Sequence, residues 1–320
     1  MTRPAMTRFS PQRLGAGRLL LLALAVGGDL LVSLWMARAS HQWLPVGASA
    51  AAAPVDDLFA LETGIGSFIL LGCSGFMLWT LLFNRAPKYD LDNGDPIEGN
   101  IRLEITWTVI PLVIVMLIAW KAIGVSDALA TVGGKVRVTG GHAAMHAAEG
   151  PMTSAPMTAD MEPITVIGRQ WSWEFVYPNG VHSTELHLPL DERSYLRMVA
   201  LDVIHGFYVP AFRLKQDLIP GSVIDYSLVP TRAGRYRLRD SMFSGGYFST
   251  NQTDVVVEPR ENFSKWLQAA LREPLRPAAN PATDLYGQRL ARGNRGWATV
   301  APSPPPMVHV SAEPNAPHEG

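Results

Sequence analysis

A chain of 320 residues with 48% hydrophobic and only 17% charged residues has room for two or three structural parts and carries a membrane fraction. Its formal net charge of -1, with no basic patch interleaved with aromatics, gives no support for nucleic-acid binding. The one cysteine, Cys73, lies in an apolar run, so neither an intramolecular disulfide nor a site of two thiolates can form.

Residues 1–40 read as a signal-like segment or as a first membrane span. Arg3, Arg8, Arg13 and Arg18 precede the apolar run LLLLALAVGG at 19–28, and Asp29 interrupts that run at about the length of a signal core. ARA at 37–39 and ASA at 48–50 offer processing sites, whereas a span through Asp29 places a costly acid in mid-bilayer. A two-helix transmembrane hairpin is expected over 58–126, with spans at about 63–83 and 105–125. The basic N-terminus favours the inside, so alternation puts the loop between the spans inside and the long C-terminal part outside.

Residues 127–162 are rich in Gly, Ala, Met and Thr without periodicity and read as a flexible tether. His142, Met145, His146, Met152 and Met157 are soft metal donors within it, although a low-complexity tether holds such residues without a metal role. From 163 to 260 short β-rich runs alternate with turn signals, which indicates a small all-β sandwich or barrel. Residues 261–273 read as a short amphipathic helix with Phe263, Trp266, Leu267 and Leu271 on one side. The Pro-rich remainder, 274–320, reads as a disordered tail.

Five segments in order, LEITWTVIP at 103–111, IGRQWSWEFVYP at 167–178, ELHLPL at 185–190, DVIHGFYVPAFRLKQDLIPG at 202–221 and TRAGRYR at 231–237, resemble the cytochrome c oxidase subunit II family. The resemblance implies a membrane-anchored α+β chain, a transmembrane hairpin followed by a cupredoxin-like Greek-key barrel. In that family the barrel holds a dinuclear copper centre that receives electrons from cytochrome c. Its ligands are an early His and a loop of the form C-x-E-x-C-x-x-x-H-x-x-M. Counted from Gly234 to Tyr236, the two Cys positions are Asp240 and Ser244, the Glu position is Met242, the His position is Phe248 and the Met position is Asn251. His205 alone is retained. No copper is expected in this domain, because the stretch 239–251 holds no Cys or His and a mononuclear blue-copper site also needs a thiolate. The family's Glu also contributes to a magnesium at the subunit boundary, which Met242 cannot do.

If the fold is kept, His205 and Asp240 should lie close enough for a hydrogen bond or ion pair. The resemblance makes Glu104 the entrance of a proton path into the catalytic subunit, against a bland reading as an interfacial carboxylate at a helix N-terminus. Trp171 and Trp173 fall in the aromatic stretch through which the family admits electrons, and are expected here to serve barrel packing and surface contacts. Trp107 and Pro111 are expected at helix-packing and interface positions.

The implied function is that of a non-catalytic subunit II of a haem-copper terminal oxidase lacking the dinuclear copper, similar to the copperless quinol-oxidase-type alternative oxidases of cyanobacteria. This chain would bind no cofactor, with haem and copper in subunit I. The implied partners are subunits I and III, a membrane quinol as electron donor, and the lipid bilayer of a bacterial plasma or thylakoid membrane. The alternatives are a degenerate paralogue acting in assembly or regulation, and a cytochrome c oxidase subunit with an unusual route for electrons.

Overall fold

The computed structural model describes residues 16–83, 99–132, 136–139, 162–293 and 299–309. Two compact units emerge, Met1–Trp43 with Asp57–Ile118, and Leu44–Asp56 with Ala119–Gly320. The first is carried by three helices, α1 (Ala16–Ala39), α2 (Ala52–Phe83) and α3 (Ile101–Val132). All three are long and apolar enough to cross a membrane. Helix is the form in which a lone segment satisfies its own backbone in lipid, and the hydroxyls of Thr80, Thr106 and Thr108 bond back to carbonyls four residues earlier, hiding their polarity.

Asp29 does not end α1. Ser33 donates to its Oδ1 at 3.3 Å, and a Cβ at Gly72 of α2 would come within 3.2 Å of its Oδ2. Glycine at 72 therefore leaves room for the carboxylate at the α1–α2 seam, and Ala37 fills the corresponding space at Gly64. Both expected spans lie inside longer helices that begin at Ala52 and Ile101. The loop at 84–98, on which part of the orientation reading fell, lies outside the described residues.

The second unit is built from β1 (Val136–Thr139), β2 (Ile164–Arg169), β3 (Ser172–Val176), β4 (His182–Ser183), β5 (Leu186–Pro189), β6 (Ser194–Ala200), β7 (His205–Val209), β8 (Leu214–Leu218), β9 (Val223–Leu228), β10 (Gly234–Asp240) and β11 (Gln252–Glu258). After these come α4 (Arg260–Ala270), β12 (Leu275–Pro277), α5 (Pro281–Ala291) and β13 (Met307–His309). A six-stranded sheet in the order β1-β9-β6-β2-β3-β4 and a five-stranded sheet in the order β5-β11-β10-β7-β8 make the cupredoxin-like domain. Alternation along β2 and β6 sends Ile164, Val166, Leu196 and Met198 inward, where Phe175, Phe207, Leu188, Ile224, Leu238 and Val255 join one core. Each such fully buried side chain contributes about 1.5–3 kcal/mol. Tyr236, fully buried, spends its hydroxyl on the Arg232 carbonyl at 2.9 Å, which pins the turn before β10.

Three expectations need correction. The stretch 127–162 is not wholly a tether: α3 runs on to Val132, and β1 pairs antiparallel with β9. Residues 274–320 are not wholly a disordered tail, since β12 pairs with β13 and α5 buries Ala282 completely. Pro residues there act as punctuation, with Asn280 capping α5 through Ala282 N at 3.0 Å and Pro281 in its first turn. The amphipathic helix is present as α4 with Phe263, Trp266 and Leu267 on the core, but Leu271 lies past its end and is exposed.

The segment preceding α2 also joins the β unit, which the sequence did not announce. Ala48 N donates to Ala211 O at 2.8 Å, Thr231 N donates to Ala48 O at 2.9 Å, and Ser49 Oγ donates to Phe212 O at 2.8 Å. Arg213, held at φ 53°, reaches Asp56 with both Nε and Nη2, at 2.6 and 2.9 Å.

Candidate functional site

Strand pairing builds the site. β7 starts at His205 and β10 ends at Asp240, and their antiparallel register sets Asp240 opposite Phe207. The chain can cross this closely because position 206 is glycine, where a Cβ would come within 2.9 Å of Met242 N. As a result His205 Nδ1 lies 2.7 Å from Asp240 Oδ2, with both side chains fully buried.

Asp240 accepts five hydrogen bonds. Its Oδ1 takes the backbone N–H groups of Gly206 at 2.7 Å and Met242 at 3.1 Å. Its Oδ2 takes His205 Nδ1 at 2.7 Å, Ser244 Oγ at 3.0 Å and Asn251 Nδ2 at 3.0 Å. The opposite ring nitrogen, His205 Nε2, lies 2.9 Å from Asp202 Oδ1. Asp202 is in turn held by the N–H groups of Gln170 and Val203, both at 2.7 Å. Trp173 closes the apolar side, its ring edge-on to His205 at 6.0 Å and its indole N–H on Asn251 O at 3.2 Å.

This geometry sets the charges. Burial alone would lower the His205 pKa, but hydrogen bonds to Asp202 and Asp240 outweigh it and push it up to about 9. Burial would likewise raise the two carboxyls, and the bonds from His205 and from backbone N–H groups bring both below the usual carboxylate range. The cluster is an imidazolium between two carboxylates.

The loop therefore brings together four of the family's ligand positions, His205, Asp240, Ser244 and Asn251. Met242 joins only through its backbone N–H, and Phe248 turns away to meet Phe243 edge-on at 5.3 Å. These residues do not fit a dinuclear copper centre. They supply carboxylate, hydroxyl and carboxamide oxygens where two thiolates are required, and the Asp240 oxygens are already spent on five donors. The one cysteine, Cys73, sits in the membrane helix α2. The Met- and His-bearing stretch at 142–157 lies outside the described residues.

Both tryptophans are buried, 1% exposed at Trp171 and 2% at Trp173, so the expected surface contacts are not made by either ring. Trp171 donates its indole N–H to Ser244 O at 3.1 Å, which ties the loop to β3's approach. Glu104 stands in the first turn of α3, where Asn100 caps the helix through Arg102 N at 3.1 Å and a Cβ at Gly99 would crowd its Oε1 at 3.0 Å. Trp107 is 60% exposed on the surface of α3, and Pro111 is built into its interior. Sequence reading missed Asp202 and Gln170. The signal was present as an acid three residues before the His in DVIH, but a loop spacing carries no facing rule of the kind a helix provides.

Two family descriptions match the chain, "Cytochrome C oxidase subunit II, transmembrane domain" over residues 37–125 and "Cytochrome C oxidase subunit II, periplasmic domain" over residues 180–258. It is 31% identical over 286 residues to cytochrome c oxidase subunit 2 of Thermostichus vulcanus, covering 78% of this chain and 85% of that protein. It is 33% identical over 267 residues to cytochrome c oxidase subunit 2 of Synechocystis sp., covering 76% of this chain and 80% of that protein. Quinol oxidase subunit 2 of Bacillus subtilis is 25% identical over 225 residues, 68% of this chain and 63% of that protein. With three membrane-length helices ahead of a matched periplasmic domain, the chain belongs to the cytochrome c oxidase subunit II family of haem-copper oxidase subunits.

Proposed function

We propose that this chain is a subunit II that carries no dinuclear copper and supports a haem-copper terminal oxidase driven by quinol. The observation that carries the reading is Asp240, a carboxylate saturated by five donors at the point where the family's ligand positions converge. An imidazolium and two carboxylates have no accessible second redox state, so an electron arriving at this barrel has nowhere to stop. Haem and the remaining copper then belong to subunit I, which also takes the quinol, and this chain acts by binding subunits I and III and the bilayer. A relative named quinol oxidase subunit 2 supports the donor class. Glu104, capped and partly shielded at the start of α3, serves as the entrance of the proton path into subunit I.

The test is oxygen uptake by the complex purified through this chain, with quinol and with reduced cytochrome c in turn. Quinol-driven uptake with negligible cytochrome c oxidation is expected. Rapid cytochrome c oxidation would restore the second reading, a cytochrome c oxidase subunit, which the names of the relatives at 31% and 33% identity favour. A complex that lacks subunit I altogether would point to an assembly or regulatory paralogue.

A further inference from the structure

Past α4 the chain returns over the barrel, outside the stretch matched by the periplasmic-domain description at 180–258. β12 and β13 pair with Leu275 opposite His309 and Pro277 opposite Met307, and Ala278 N donates to Pro306 O at 2.9 Å. Ala282 and Val308 are buried at 0% and 2% exposure, so the returning segment is packed rather than laid loosely on the surface.

Its contacts fall on the residues that frame the ligand-position loop. Ser303 N donates to Gln170 O at 2.5 Å, and Ser303 Oγ donates to Asp202 Oδ2 at 3.4 Å. Asp202 is the second carboxylate on His205, so the segment reaches the buried imidazolium through two hydrogen bonds by way of one side chain. Thr299 covers Gly246, where a Cβ would meet its Oγ1 at 2.8 Å. Tyr286 of α5 meets Tyr247 edge-on at 6.4 Å, and Tyr247 meets Trp171 the same way at 5.2 Å. His309 Nδ1 accepts from His182 N at 3.0 Å. The sequence around Ser303, APSPPP at 301–306, is stiff and extended, so docking it sacrifices little chain entropy.

We propose that Leu275–Ala291 and 299–309 form a strap that seals the ligand-position loop and Trp171, closing this face of the barrel to any soluble redox protein. Trp171, 1% exposed, lies under Gly245 and Tyr247 of the loop, and the strap in turn holds that loop down through Tyr247 and Gly246. It deepens the quinol reading and rests on it for its biological sense, but the closure itself is a separate physical claim.

Hydroxyl-radical footprinting of the intact complex tests it, with Trp173 as the internal control. The variants are Ser303→Pro, which removes one N–H from a segment already extended, and Tyr286→Ala, which removes the ring over Tyr247. The expected result is a several-fold rise in labelling of Trp171 and Tyr247 with Trp173 unchanged. Unchanged labelling of Trp171 overturns the proposal. An equal rise at Trp171 and Trp173 also overturns it, because the segment is then part of the barrel's fold and not a cover. Oxygen uptake with reduced cytochrome c by the unaltered complex reads the donor assignment separately, and a failure there leaves the footprint result standing.

Discussion

Asp240 shows how one side chain can stand where a metal centre would organise a loop. A carboxylate has about four lone-pair directions, and here five donors from β7 and the loop that precedes β11 converge on it, as ligands would on a cation. Asp240→Ala leaves the buried His205 with one fewer counter-charge and strands Ser244 and Asn251. It should destabilise the domain by about 3–5 kcal/mol, read as a fall in thermal midpoint. The pH dependence follows from the shifted groups. Because the folded His205 pKa is raised from 6.5 to about 9, its contribution is complete below pH 6.5 and is lost as pH rises through 9. The depressed carboxyls of Asp240 and Asp202 contribute above their ordinary value of 3.8 and lose that contribution as pH falls below it. Thermal midpoints should therefore decline from pH 6.5 to 9, and Asp240→Asn should flatten that decline. An equally steep decline in the variant would remove His205–Asp240 as its source. Asp240 was legible by counting from the Gly234–Tyr236 turn. Asp202 was not, because nothing in DVIH says that the loop doubles back to offer its acid to the same imidazole.

At the level of elements, short apolar runs between turn residues announced the strands from β2 to β11, with clean period-two burial in β2 and β6. β1 and the strap were hidden for a different reason. Their residues pair backbone groups onto surfaces made by distant parts of the chain, and Gly- or Pro-rich composition reads the same whether a segment is docked or free. Close approach of β7 to the loop after β10 depends on Gly206. Gly206→Ala would press a methyl group against Met242 N and should cost about 1–3 kcal/mol as the loop is pushed off Asp240, seen as faster hydrogen exchange at 241–251. Protection of that loop equal to the unaltered chain would show that the loop has slack to spare. In the helical unit Glu104→Gln keeps the shape of the capped turn and removes the ionisable carboxyl group. Turnover and proton uptake of the oxidase should both slow, whereas unchanged values would leave Glu104 as an interfacial carboxylate.

For the molecule as a whole, the family scaffold is retained, and on the function proposed above the chemistry at its focus is exchanged. Membrane-length helices and a two-sheet domain persist, and a self-satisfied ionic cluster occupies the positions at which the resemblance places copper donors. That exchange predicts a reversible outcome. Installing the family's donors through Asp240→Cys, Met242→Glu, Ser244→Cys, Phe248→His and Asn251→Met, beside the retained His205, should let the barrel take up copper. Phe248 is the weakest of these positions, since it now faces Phe243 rather than the cluster. The most direct measurement is the copper-to-haem ratio of the complex purified through this chain, taken for the unaltered protein and for the five-fold variant. Copper no higher than the haem-copper centre of subunit I requires is expected in the unaltered complex, and additional copper in the variant. Additional copper bound to the unaltered domain would contradict it.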